Sequence, residues 1–235
     1  MDHRPPLWRD RRDAGRALAE RLSDLQGQAN RCTLVALPRG GVPVAAAMAQ
    51  RLGLPLVTWA VRKLAHPAAP EVAVGAIAPG GVLIWDEPYL RQVHLDPLLR
   101  RQLVAQQDDE LRRRQRLFGD PLVSSLRGRP LLVVDDGVAT GLTVRAALQS
   151  LRQATPSHLV LAVPVIDQLV AARLRPLVDD LVALAEVDGL MAVGTWYERF
   201  EQLDDAQVKA LMDAGKRDQP SSEAAIPPRG TAGQL

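Results

Sequence analysis

Asp135 and Asp136 stand side by side directly after four apolar residues, Leu131 to Val134, and before a loop that holds Gly137, Thr140, Gly141 and Thr143. The apolar run lacks alternation, as a strand buried on both faces of a parallel sheet does. Val144-Arg145-Ala146-Ala147-Leu148 then begins a helical pattern. A strand, a small-residue loop and a helix N-terminus form a cradle for phosphate, because free backbone N–H groups and the positive end of the helix dipole converge on one point. Two carboxylates beside that point would repel a bare phosphate. They suit a ligand that carries hydroxyls or a metal next to its phosphate, as a sugar phosphate with Mg²⁺ does. No Lys precedes the final Thr, which separates the loop from the ATP-type P-loop.

Several elements must position this loop. Residues 9 to 25 read as an amphipathic helix with Ala14, Leu18, Leu22 and Leu25 on one face, and the charges Arg9, Asp10, Arg11, Arg12 and Asp13 read as a solvated face. A strand from Thr33 to Leu37 leads through Pro38-Arg39-Gly40-Gly41 into an Ala-rich helix from Val42 to Leu52. A second strand, Leu56 to Val61, ends in Arg62-Lys63, and cations at the carboxyl end of a parallel strand lie on the ligand side of an open sheet. Val72 to Ala78 and Val82 to Asp86 flank Pro79-Gly80-Gly81 as a β-hairpin. A helix from Pro97, capped by Asp96, runs to Phe118. On it Asp108, Asp109 and Glu110 each precede an arginine by four residues, so Arg112, Arg113 and Arg114 read as paired and solvated.

Beyond the central loop come a helix from Val144 to Ala154, a strand from His158 to Val165, a helix from Asp167 to Val178, a strand from Asp180 to Val187 and a short helix near Asp205 to Ala214. Alternating strands and helices give a parallel α/β sheet with right-handed crossovers. If the Arg39 and Asp135 loops share a ligand, the first and third core strands are neighbours. The order is then 2-1-3-4-5, with the ligand at the switch point.

Composition narrows the function. The chain has 235 residues, and its net charge of +2 argues against a dedicated nucleic-acid binder. Cys32 is the single cysteine, so an internal disulfide and a cysteine zinc cage are excluded. No signal core or membrane span is evident, and a cytoplasmic protein is expected. The tail from 216 to 235, rich in Pro, Ser, Gly and Ala, reads as disordered.

The stretch VVDDGVATGLT resembles the PRPP-binding signature of the type I phosphoribosyltransferases. The resemblance implies a Rossmann-like domain over residues 1–215. It would carry a hairpin flap and inserted helix at about 64–119 and a small C-terminal hood at about 188–202. Asp135 and Asp136 would bind the ribose hydroxyls, and would touch Mg²⁺ only indirectly, through those hydroxyls or water. Gly137, Val138, Ala139, Thr140, Gly141, Leu142 and Thr143 would wrap the 5′-phosphate. Arg39 and Gly40 resemble the family's pyrophosphate loop, and Arg62 and Lys63 its pyrophosphate cations, with Lys63 catalytic beside the two acids. The hairpin occupies the place of the family's mobile flap.

The segment Asp188 to Gln202 is similar to the VGxWY ending of a bacterial transferase-like group. In purine enzymes an aromatic stacks on the base three residues before the position of Gly194. Here that place is Met191, with Trp196 and Tyr197 as further hood residues. The resemblance implies transfer of a 5-phosphoribosyl group from PRPP to a nitrogenous acceptor, with Mg²⁺ as cofactor and room for a homodimer. A non-catalytic PRPP- or nucleotide-sensing regulator of the same fold is the alternative.

Overall fold

The computed structural model describes residues 5–28, 32–93 and 95–217; the tail expected at 216–235 lies almost wholly outside them. In chain order the elements are α1 (Arg11–Arg21), β1 (Thr33–Ala36), α2 (Gly41–Leu52), β2 (Leu56–Thr58), β3 (Arg62–His66), β4 (Ala69–Ala78), β5 (Val82–Trp85), α3 (Glu87–Val93) and α4 (Pro97–Phe118). They continue with β6 (Pro130–Val134), α5 (Leu142–Arg152), β7 (His158–Asp167), α6 (Gln168–Leu174), β8 (Asp180–Val187) and α7 (Asp205–Arg217).

Five strands form one parallel sheet in the order β2-β1-β6-β7-β8, the order expected from the shared ligand of the β1 and β6 loops. The period of two along each strand divides the core. Leu34, Ala36, Leu132 and Val134 face α1, α2 and α7, where Leu18, Val44, Met48 and Val208 are buried. Val35, Leu131 and Val133 face α5 and α6, against Val144, Leu148, Leu151 and Val170. Both faces are covered, so the strands carry apolar runs in place of alternation.

A second, antiparallel sheet, β3-β4-β5, leans on α3 and α4 through Leu64, Val74, Ile77, Leu90 and Leu111. Here the expected layout is corrected. The second core strand stops at Thr58, and Arg62 and Lys63 open β3 instead of closing a core strand. The carboxylate of Asp120 directs the chain out of the first sheet. It accepts from Thr58 Oγ1 at 2.7 Å and from the Ala60 amide at 2.6 Å. Burial pushes its pKa up to about 6.

The expected hairpin is β4-β5, but its turn is docked. Ser150 Oγ on α5 donates to the Pro79 carbonyl at 2.5 Å and accepts from Trp59 Nε1 at 3.1 Å, while Gln153 Nε2 donates to the Gly80 carbonyl at 3.2 Å. This sheet's other turn, between His66 and Ala69, is the end away from that anchor. α4 begins at Pro97, with Asp96 accepting from the Leu98 and Leu99 amides, and ends at Gly119 in the left-handed region.

Candidate functional site

The loop after β6 is held open by its neighbours. The Val138 amide donates to the Val165 carbonyl at 2.9 Å, and the Asp167 amide donates to the Val138 carbonyl at 3.0 Å, which ties mid-loop to the end of β7. Gly141 starts α5 with φ +75°, and a Cβ there would lie 2.5 Å from Val170 Cγ1, so both backbone and space demand glycine. No side chain caps α5, which leaves its first-turn amides to a ligand. Thr140 is exposed and Thr143 half-buried at the rim.

The Pro38–Gly41 loop closes over the acids from the neighbouring strand. A Cβ on Gly40 would fall 2.0 Å from Asp136 Oδ2, and one on Gly41 would fall 2.5 Å from the Val134 carbonyl. Asp135 Oδ1 accepts the Asp136 amide at 2.9 Å. Burial and then the neighbouring charge hold Asp135 well above the usual carboxylate range. Burial also raises Asp136, against an opposing pull from the Arg11 guanidinium.

Arg11 is the residue beside the acids that its sequence pattern does not single out. Its Nε donates to Asp136 Oδ2 at 2.7 Å, and the two side chains are only 11% and 13% exposed. A second nitrogen donates to the Glu201 carbonyl at 2.8 Å, and the guanidinium lies 3.7 Å from the centre of the Phe200 ring. The run Arg9 to Asp13 has the charge pattern of a solvated helix face. Nothing within it marks the arginine that turns inward to a partner 125 positions away.

The cationic side gathers on three elements. Arg62 Nε donates to Gln107 Oε1 at 3.0 Å. Burial lowers the Arg62 pKa first, followed by the nearby charge of Arg114, with Arg39 also opposing it. Arg114 pairs with Glu110 at 2.9 Å, as its spacing predicts, and Arg112 pairs with Asp108 at 2.7 Å. Arg113 departs from its expected partner Asp109. It pairs with Glu110 one turn back and with Asp205 of α7 at 2.6 Å, since the fold brings α7 beside α4. Asp205 also lies 3.9 Å from Arg39. Arg114 is only 12% exposed, so α4 turns part of its basic face toward Arg62 and away from solvent. Lys63 Nζ donates to the Pro70 carbonyl at 2.9 Å, on the hairpin side of this cluster.

The hood residues separate. Tyr197 is buried, its ring stacked at 5.6 Å on Trp8 and 5.1 Å on Phe200, and its hydroxyl donates to the Asp136 carbonyl at 2.5 Å. It supports the acid loop from behind and does not offer a free face to a base. Trp196 is half-buried in the same layer, and its carbonyl accepts the Leu7 and Trp8 amides. Met191 is 93% exposed. Among the described residues no group of three or more metal-ligating side chains gathers. One oxygen of each acid is engaged within the chain: Asp136 Oδ2 accepts from Arg11 and Asp135 Oδ1 from an amide.

Comparison with known proteins matches residues 8–180 to the phosphoribosyl transferase domain model. Curated relatives in two strains of Mycobacterium tuberculosis, whose name assigns them provisionally to the phosphoribosyl transferases, are 42% identical over 214 residues. The match takes in 90% of this chain and 48% of theirs, so the chain spans about half the length of these relatives. A Thermus thermophilus protein of known crystal structure is 38% identical, with a TM-score of 0.65 over 87% of this chain and 97% of that one. Among the described residues, no helix is long and apolar enough to cross a membrane.

Proposed function

The chain belongs to the phosphoribosyl transferase domain family, and on that premise we propose that it binds PRPP and transfers the 5-phosphoribosyl group to a nitrogenous acceptor, releasing pyrophosphate. One observation carries this reading: the Pro38–Gly41 loop and the Asp135–Asp136 loop meet with no room for a Cβ at Gly40, beside an uncapped helix N-terminus. That juxtaposition offers amides for a 5′-phosphate, acids for ribose hydroxyls and a route to the arginines for a diphosphate. Gly137 to Thr143 supply the first, Asp135 and Asp136 the second.

Displacement at C1 builds positive charge on the sugar ring and negative charge on the leaving group. Asp135 and Asp136 suit the former; Arg39 and Arg62, with Lys63 on the hairpin side, suit the latter. Mg²⁺ bound with the diphosphate would supply charge neutralisation there, with Asp135 and Asp136 placed to act on it indirectly, through ribose hydroxyls or water. The β3–β4 end of the small sheet is the part able to cover the reacting sugar, because the β4–β5 turn is fixed on α5.

A PRPP- or nucleotide-sensing regulator is the second reading, and two hood residues speak for it: Tyr197 is packed away and Met191 stands in solvent, so neither is placed as a stacking platform for a base. A pyrophosphate-release assay with PRPP and a panel of nitrogenous bases separates the two. Turnover with any acceptor establishes the enzyme; PRPP binding without turnover establishes the sensor. Absence of PRPP binding sinks both.

A further inference from the structure

Two adjacent, largely covered carboxylates ordinarily invite a divalent cation, since their like charges repel and a counter-charge relieves them. In this protein the counter-charge comes from the chain itself. Arg11 reaches from the first turn of α1, donates from Nε to Asp136 Oδ2 at 2.7 Å, and is fixed by the Glu201 carbonyl and the Phe200 ring. Phe200 in turn stacks on Tyr197, whose hydroxyl holds the Asp136 carbonyl. Asp136 is therefore gripped at carboxylate and carbonyl by residues that also grip one another. A guanidinium held on three sides is not a stray surface cation: it is built into the site.

We propose that Arg11 is a specificity-determining residue that fills the cation position beside Asp136, making the acid pair a receptor for the neutral vicinal diol of a ribose and excluding a divalent metal ion from it. The inference rests on the phosphoribosyl reading for its diol and on the Arg11 geometry alone for its exclusion of metal. A consequence follows for loading. The metal that accompanies a diphosphate cannot enter first and wait on the acids, because the place is taken.

The test uses the full chain and Mn²⁺ as the probe, followed by the loss of the free-ion paramagnetic signal and by the shift in Tm. Wild type is expected to bind no Mn²⁺ that depends on Asp136. Arg11→Met and Arg11→Gln each free the position, and should bind Mn²⁺ at least about tenfold more tightly than wild type, since affinity for a hard cation follows the uncompensated carboxylate charge. Adding Asp136→Asn to either should abolish the gain. Arg11→Lys keeps the charge and should exclude Mn²⁺ as wild type does. If Arg11→Met is unfolded without metal, Mn²⁺ should refold it by mass action.

Asp136-dependent Mn²⁺ binding by wild type overturns the proposal, as does failure of both charge-removing variants to gain Mn²⁺ or to refold with it. A parallel arm isolates the underlying reading. Without divalent metal, wild type should bind ribose 5-phosphate more tightly than 2-deoxyribose 5-phosphate. Loss of that preference counts against the phosphoribosyl site while leaving the metal result standing.

Discussion

The two sides of the ligand site handle charge in opposite ways. On the acid side, Asp135 and Asp136 lie partly covered beside the Pro38–Gly41 loop, with Arg11 as a single, nearly buried counter-ion. On the arginine side, Arg39, Arg62, Arg113 and Arg114 outnumber Glu110 and Asp205, and exposure runs from 12% at Arg114 to 46% at Arg113. One Asp205 oxygen there has no hydrogen-bond partner among the described residues. The acid side thus has a counter-ion for Asp136 before any ligand arrives, whereas the arginine side carries an excess of positive charge that an anion would complete. A change on the first should therefore cost stability as well as binding, and a change on the second mostly binding.

The contrast is tested most severely by Asp136→Ala. It strands Arg11 in a buried position without its partner, and stability should fall by about 3–5 kcal/mol. Urea unfolding measures this, and a loss comparable to that of a surface substitution would mean the Arg11–Asp136 pair is not held as described.

Asp120 gives the next effect, on the arginine side's own scaffold, because it sets the course of the chain into β3. Its folded pKa of about 6 lies above the ordinary 3.8. As pH rises from about 4 to 6 the unfolded chain ionises first, so this group's contribution declines and is lost above the folded pKa. The span is about 3 kcal/mol. The difference in stability between Asp120→Asn and wild type should therefore vary with pH across that window and level off above it; a flat difference would place Asp120 in a more solvated setting.

Arg62→Ala should weaken pyrophosphate binding by about 1.5–3 kcal/mol by calorimetry, the worth of one charge-assisted contact, and leave ribose 5-phosphate binding almost unchanged. Equal losses for both fragments would erase the division into two sides. The smallest change is expected for Arg112→Ala, whose pair with Asp108 lies on the outer face of α4. About 0.3–0.5 kcal/mol of stability is at stake, with no change in either fragment's affinity.

The same two sides differ in how far they could be read from sequence. The acid loop was legible because its apolar run, carboxylates and small residues are contiguous, and the strand order followed from requiring two loops to share one ligand. α4 was legible at both ends, since Asp96-Pro97 and Gly119 are local signals. Arg11 was not, because its partner is fixed by tertiary folding and its neighbours mimic a solvated face. Arg62 and Lys63 were placed at the right end of the chain segment but on the wrong sheet, since Asp120, far along the sequence, decides where β2 stops. Arg113 follows the same rule: helix spacing offers Asp109, and α7 brings the stronger partner Asp205. Tyr197 reads in sequence as a hood residue, and only the Trp8 and Phe200 rings around it show that it is packed.

The pairing of Trp8 with Tyr197 has a consequence for the order in which the site comes into being. Residues 7–11 and 196–201 are joined by backbone bonds, by ring stacking and by the hold of Arg11 on the Glu201 carbonyl, 190 positions apart. Contacts of such separation carry the largest chain-closure cost and are favoured only once the intervening sheet exists. During synthesis, the acid loop emerges and can join β1 and β6 long before Phe200 and Glu201 leave the ribosome. Until they do, Arg11 has neither its aromatic rest nor its carbonyl. A nascent domain truncated before residue 197 should hold a sheet but no anchored Arg11 beside Asp136, so the Arg11–Asp136 pair reports completion of the domain.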